Sequence, residues 1–291
     1  MIGMGNAIIS GSLSIVINYI LMAVLGWGIL SSAIGMGVAY AIPTAVYLIY
    51  FSRKKKRVLH FVKPKIHEGF ILRTCTNGSS EMVTNLAIVV VSATMNIIMG
   101  NFMGDNGIAA VSVIVQVQFL LSSMYIGYGA GVAPIFGYAY GEDNRKQIKN
   151  VFRISTKLIA ISSVILVVLC ILFRDFIVGA FIRDTTSQSF YLARSGFSIF
   201  AIAYLFVGTN IFSTVFFTSV SNGKISALIS FLRTFLFIMG MLLVLPPLLG
   251  TTGVWLSIPI AETLSIVTSI TLLNKYRGVY HYGSDKKIIL T

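Results

Sequence analysis

The chain has 291 residues, of which 56% are hydrophobic and only 11% charged, and its mean hydropathy is +0.87. Soluble globular domains carry roughly 25% charged and about 45–50% apolar residues, so an ordinary soluble domain is excluded, as is disorder, which needs low hydrophobicity. The net charge of +13 would suggest a nucleic-acid partner in a soluble protein. Here the cations gather in the connections between apolar stretches, which is the pattern of anchoring against anionic lipid; membrane lipid is the expected partner and nucleic acid is not.

A membrane helix needs about 20 mostly apolar residues. In chain order such stretches fall at 5–25, 31–51, 72–99, 107–134, 155–173, 196–219, 225–249 and 253–273. The expected fold class is all-α, a polytopic membrane helix bundle of about eight transmembrane helices. The polar, basic stretch 53–71 separates the second and third spans and reads as a linker between two bundles.

Lys and Arg cluster after the second span (Arg53 to Arg73), the fourth (Arg145 to Lys157), the sixth (Lys224) and the eighth (Lys275 to Lys287). The connections near 26–30, 100–106 and 250–252 hold none. That alternation predicts a multi-pass protein with an even number of spans and both termini cytoplasmic; the expected location is the plasma membrane. The connection 174–195 departs from it with Arg174, Arg183 and Arg194, offset in part by Asp175 and Asp184. Trp27 and Trp255 fall on the uncharged side, where an aromatic belt would place them.

A charge inside a membrane is costly and faces a bundle interior or a wet cavity. Three stand within predicted spans: Glu81, Arg233 and Glu262. Glu81 belongs to a stripe with Asn77, Asn85, Ser92 and Asn96, spaced to share one helical face. The stripe reads as a cation or proton site lining a cavity, or as interhelical hydrogen bonding. Glu262 shares a face with Ser265 and Ser269, and Arg233 is its obvious neutralising partner. Buried carboxylates suit proton coupling, because desolvation disfavours their charged form. Gln116, Gln118, Thr209, Asn210 and Ser213 are milder candidates for a cavity lining, or for helix–helix bonding.

Gly127 and Gly131 form a small-xxx-small pair that permits close helix approach. Pro134 and Gly137 suggest a kink or helix end, and Pro43 and Pro259 fall inside spans, where each removes a backbone bond. Cys75 and Cys170 stand on different helices, and neither they nor the three histidines have the spacing of a metal site; no cofactor is expected.

Several runs together resemble the multidrug and toxic compound extrusion (MATE) family, its MepA-like branch in particular. They are Ser80 to Leu86 (SEMVTNL), Gly104 to Ala110 (GDNGIAA), Gly127 to Pro134, Gly137 to Gly141, Gly208 to Ile211 (GTNI), Phe217 to Lys224, Ser230 to Arg233 and Trp255 to Glu262. The resemblance implies two six-helix lobes related by pseudo-symmetry. On that pattern residues 1–62 correspond to the last two helices of an N-terminal lobe and the start of a basic cytoplasmic linker, and residues 63–291 to a complete C-terminal lobe. About the first four helices of the family pattern are absent, so a missing N-terminal lobe becomes a candidate partner. Asn18 to Ala23 (NYILMA) also departs from a pattern in which Asp-Pro follows the Leu.

The resemblance further implies secondary active efflux by a bacterial antiporter: organic cations or other toxic compounds leave against H⁺ or Na⁺, without an enzymatic step. The implied ion-coupling residues are Glu81, Asn85 and Glu262, and the implied substrate cavity is Asn77, Asn96, Gln116, Asn210 and Arg233. Glu81 falls on a second-lobe position associated with cation coupling in the family. Other readings stay open: a flippase for lipid-linked sugars, which would favour a cationic cavity, or a non-transporting fragment or half of a split transporter. A membrane enzyme would need clustered nucleophile motifs, and none occurs.

Overall fold

The structure is a computed structural model that describes residues 2–52, 68–280 and 282. It is built of helices, and it divides into two compact units, Met1–Ile66 and His67–Thr291. The expected boundary between residues 62 and 63 lies outside the described residues.

The first unit is a pair of helices. α1 (Ile2–Asn18) continues as a π-helical turn over Tyr19–Val24, and α2 spans Ile29–Ser52. The turn between them passes through Gly26 (φ 66°) and Gly28 (φ 60°). Pro43 sits inside α2, and its missing N–H leaves the Ala39 carbonyl without its helical donor. Ser10 of α1 supplies one, donating to Ala39 O at 2.6 Å, and Asn6 donates to Pro43 O at 3.3 Å. A proline is thus tolerated in a membrane helix because a neighbour re-satisfies the freed carbonyl.

The second unit begins with α3 (Glu68–Gly141), which doubles back on itself at Gly104 (φ 56°, ψ −142°), a conformation open essentially to glycine alone. Its arms, 68–103 and 105–141, form a hairpin. Ile108 comes against Gly100, and a Cβ at Gly107 would overlap the Met99 carbonyl. The same corner recurs at Gly250 (φ 60°, ψ −138°), where a Cβ at Gly253 would overlap the Leu245 carbonyl. Both corners have glycines three residues apart, with the blocking carbonyl five residues before the first. Two of the helix pairs therefore turn by one device.

After α3 come α4 (Arg145–Leu172), a connecting helix α5 (Arg174–Phe181), α6 (Gln188–Ala201) and α7 (Tyr204–Ser219). α6 and α7 meet at a bend of 56°, and together they are long and apolar enough for one span. α8 (Gly223–Phe231), a π-helical segment over Leu232–Ile238 and α9 (Met239–Leu249) form the next span, and α10 (Thr251–Tyr276) the last. Among the described residues six helices are long and apolar enough to cross a membrane, or seven with the bent pair taken as one span. The break at Gly104 divides the run Thr74–Gly141 into two, giving the expected eight.

Large apolar side chains of these helices, among them Phe136, Phe197, Phe200, Tyr204, Phe216 and Phe217, are fully buried together. Three expectations are corrected by this packing. Gly127 and Gly131 face open space; the close approaches are at Gly129, against Val215, and at Gly208, where a Cβ would lie 2.6 Å from the Tyr125 ring. The helix does not end near Pro134 and Gly137 but runs on to Gly141. Trp255 is not in a lipid-facing belt: it is 3% exposed and lies against Gly196 of α6. Trp27, by contrast, is exposed.

In the connection 174–187, outside the spans, Asp175 accepts from Arg194 Nε and, at 3.1 Å, from Arg194 Nη2, while Arg174 lies 3.6 Å away. The Arg194 hydrogen bonds, aided by the charges of Arg194 and Arg174 and opposed by partial desolvation, hold the Asp175 carboxyl below the usual carboxylate range. A depressed carboxylate contributes stability that is full above the unfolded-state pKa, about 3.9, and fades as pH falls through the lower folded-state value. Asp175→Asn is therefore expected to lower the unfolding temperature slightly at neutral pH, the pair being solvent-screened. The difference from wild type should vanish on acidification, as thermal unfolding across a pH series would show.

Candidate functional site

α7, the π-helical segment and α10 converge on a buried polar cluster. Glu262 is the twelfth of the 26 residues of α10, about 17 Å from its start at 1.5 Å per residue, so it stands near the middle of its span. Its side chain is 1% exposed, and Ser265 and Ser269 on the same face are equally buried. Arg233 enters from the π-helical segment, a wider turn of the kind often found at functional sites.

Arg233 grips the carboxylate with two nitrogens. Nε donates to Oε1 at 2.9 Å and to Oε2 at 3.1 Å, and Nη2 donates to Oε1 at 2.7 Å. Asn210 of α7 completes the shell, donating Nδ2 to Glu262 Oε2 at 2.7 Å and to the Glu262 backbone oxygen at 3.2 Å. Ser269 donates to Asn210 Oδ1 at 2.9 Å, which fixes the amide's orientation. Each carboxylate oxygen thus accepts two hydrogen bonds, and the two opposite charges face one another. Such a pair tolerates burial only when its geometry is good and its remaining lone pairs are satisfied, and both conditions hold. A proton or metal cation seeking Glu262 must compete with Arg233.

The polar stripe on the first arm of α3 is a separate place. Glu81 and Asn85 are exposed and joined to one another: Asn85 Nδ2 donates to Glu81 O at 2.9 Å and to Glu81 Oε1 at 3.5 Å. No ion pair to Glu81 occurs among the described residues. Farther along, Asn96 is partly buried. Its Nδ2 donates to Ser92 O at 2.9 Å, while its buried Oδ1 finds no donor among the described residues. The side chain of Asn77 lies outside the described residues. Gln116, on the second arm, is exposed. Of the expected site residues, then, Glu262, Arg233 and Asn210 come together, Glu81 and Asn85 form a second pair, and Asn96 and Gln116 belong to neither.

Sequence reasoning passed over several interhelical bonds. Tyr204 donates to Gln118 O at 3.1 Å, Tyr125 and Ser163 bond at 2.9 Å, and Asn106 at the Gly104 corner donates to Gln188 at 3.1 Å and accepts from Ser189 at 2.7 Å. A buried tyrosine usually finds a partner for its hydroxyl, but nothing local in the sequence says which.

Eight apolar spans, with charged groups inside them paired or gathered on one polar face, define a polytopic α-helical membrane protein. The MatE family model matches residues 82–243, more than half of the chain. The chain belongs to that family, the multidrug and toxic compound extrusion proteins.

Two relatives are named multidrug export protein MepA. The one from Staphylococcus haemolyticus is 23% identical over 279 residues, covering 96% of this chain and 60% of the relative. The one from Staphylococcus saprophyticus is 20% identical over 267 residues, covering 89% and 58%. Among solved structures, a MATE crystal structure in complex with MaL6 superposes with a TM-score of 0.83 at 16% identity, covering 95% of this chain and 63% of the other. The outward-facing conformation of a multidrug resistance MATE family transporter of the MOP superfamily matches equally well, covering 95% and 62%. At that identity the likeness shows the fold. The chain spans about three fifths of the length of the relatives it matches.

Proposed function

We propose that this chain works in secondary active efflux, exporting organic cations or other toxic compounds across a bacterial plasma membrane in exchange for H⁺ or Na⁺. Family membership and the two relatives named as multidrug export proteins support the efflux reading. The observation that carries the coupling reading is the exposed Glu81–Asn85 pair on the first arm of α3. A carboxylate there is reachable by an ion, whereas Glu262 is already held by Arg233. Alternating access in such folds proceeds by one repeat moving against the other around a midplane site, and ion binding at Glu81 would bias that equilibrium.

A flippase for phosphate-bearing lipid-linked sugars would want a net cationic cavity. Arg233, the deep cation, is bound by Glu262, which favours the first reading. On the efflux reading residues 1–62 serve as two helices of an N-terminal lobe and 63–291 as the C-terminal lobe, with both termini cytoplasmic.

The test is reconstitution of the chain into liposomes and measurement of ethidium movement under an imposed pH or Na⁺ gradient. Gradient-driven movement is expected from wild type, and its loss from Glu81→Gln, with Gln116→Ala altering only the apparent affinity. Wild-type protein that is inserted and folded yet moves nothing overturns the reading that these residues suffice. Movement unaffected by Glu81→Gln overturns the coupling role.

A further inference from the structure

A cavity of about 350 Å³ opens between α4, α7 and α10. Its inner wall is apolar: Phe152 and Ile159 of α4, Phe212 of α7, and Ile266 and Ile270 of α10 line it. A second hollow of about 280 Å³ continues it outward, sharing Phe152, Thr156, Arg277 and Tyr282 and adding Lys149, Arg153 and Lys157. The two helices run in opposite senses along this groove. On α4 the residues pass from cationic to apolar between 149 and 159, and on α10 from apolar to cationic between 266 and 277. Each interval is about 15 Å at 1.5 Å per residue, so the two charge gradients coincide and all four cations gather at one end.

Lys149, Arg153 and Lys157 stand at intervals of four, on one helical face. Among the described residues that line either hollow, none is acidic. Tyr282 closes one wall: its ring stacks on Phe152 with centroids 4.3 Å apart, and its hydroxyl donates to the Leu273 carbonyl. Ile270 is 45% exposed, so the trough is open along its apolar length. An apolar trough with a cationic mouth at one end of a membrane helix bundle is complementary to an amphiphile with an anionic head. Basic pockets between transmembrane helices bind anionic lipid headgroups on this principle.

We propose that this groove is a binding site for an anionic phospholipid, its acyl chain lying against Ile159, Phe212, Ile266 and Ile270 and its phosphate at Arg153 and Lys157. A free inorganic anion would use the mouth and leave the trough without purpose; the lipid uses both. Charge complementarity decides the class, and the length of the apolar wall decides that the ligand has a tail.

The full chain in neutral detergent is titrated with dioleoylphosphatidylglycerol or dioleoylphosphatidylcholine, and bound lipid is counted by native mass spectrometry. Wild type is expected to retain the anionic lipid at least 10-fold better than the zwitterionic one. The variant Arg153→Gln/Lys157→Gln should lose that preference. A variant with the same charge change elsewhere, Lys146→Gln/Lys224→Gln, should keep it. If the double groove variant does not fold, Arg153→Gln alone, at an exposed side chain, reads the same preference with a smaller loss. Ile270→Gln should weaken both lipids together. Inorganic phosphate in large excess should not displace the lipid. Absence of the preference in wild type, its retention in the groove variants, or displacement by inorganic phosphate each overturns the proposal.

Discussion

Removing the Glu262 carboxylate while leaving Arg233 in place is expected to destabilise the protein by about 3–5 kcal/mol, the scale at which one partner of a buried ion pair is lost. The cost falls on the arginine. Asn210 keeps two partners when the side chain of Glu262 is shortened, because it also bonds the backbone oxygen of that residue and accepts from Ser269. Arg233 loses all three of the hydrogen bonds that it makes to the carboxylate. Its side chain is 15% exposed, so some of the charge can reach toward water, which places the expected loss at the lower end of the range for Glu262→Ala.

The double variant Arg233→Met/Glu262→Leu should recover most of that loss, since replacing both members of a buried pair by apolar groups of similar volume is often neutral or stabilising. Unfolding of wild type, Arg233→Met, Glu262→Leu and the double variant in mixed micelles gives a double-mutant cycle with a large coupling term. Equal instability of the double and single variants would sink the assignment of the pair as mutually neutralising. The same four proteins separate structure from coupling in the ethidium assay. A double variant that is stable and still transports leaves Arg233 and Glu262 a purely structural role. One that is stable and silent makes them part of the ion cycle.

The sequence marked Arg233 as the obvious neutralising partner of Glu262, because charge inside a membrane is rare and tends to find its opposite, but that the two meet is seen only in the packing of the π-helical segment against α10. Asn210 was named for a substrate cavity, or for helix–helix bonding, and not as a partner of Glu262. Its place between Glu262 and Ser269 depends on how α7 packs on α10, which no local pattern carries. Helical period likewise tells which residues share a face, but not which face meets a neighbour. It grouped Gly127 with Gly131 correctly, yet Gly129, two residues off that stripe, is the one against Val215. The eight spans followed from hydropathy alone. The π-helical segments did not, because a single wide turn leaves the apolar count of a span unchanged. The continuation of α3 through Pro134 also escaped, because proline costs a helix less where neighbouring helices re-satisfy its backbone, as Ser10 does for Ala39 in the first unit.

Trp255→Ala is expected to cost about 3–5 kcal/mol, the loss typical of a large buried aromatic, and this separates a packed key from a belt residue. A tryptophan at the membrane surface contributes through its position at the headgroups and tolerates Phe with little loss. Trp255 is instead enclosed, with Val254 and Ile258 buried beside it, and its ring lies where a Cβ on Gly196 would stand 2.6 Å away. In lipid the water-exclusion part of the loss is reduced, because the alternative environment is itself apolar. The dispersion contacts of a close-packed ring remain to be lost. The reciprocal change, Gly196→Ala, should cost about 1–3 kcal/mol by overpacking. The two positions should not be independent: Gly196→Ala/Trp255→Ala should lose less than the sum of the single changes, because the smaller side chain vacates the space that the new methyl needs. Thermal or denaturant unfolding of the three variants in one detergent measures the cycle. Strict additivity, or a Trp255→Ala loss within about 0.5 kcal/mol of wild type, would return Trp255 to the membrane surface and remove the contact between α6 and α10 from the forces that hold the site in register.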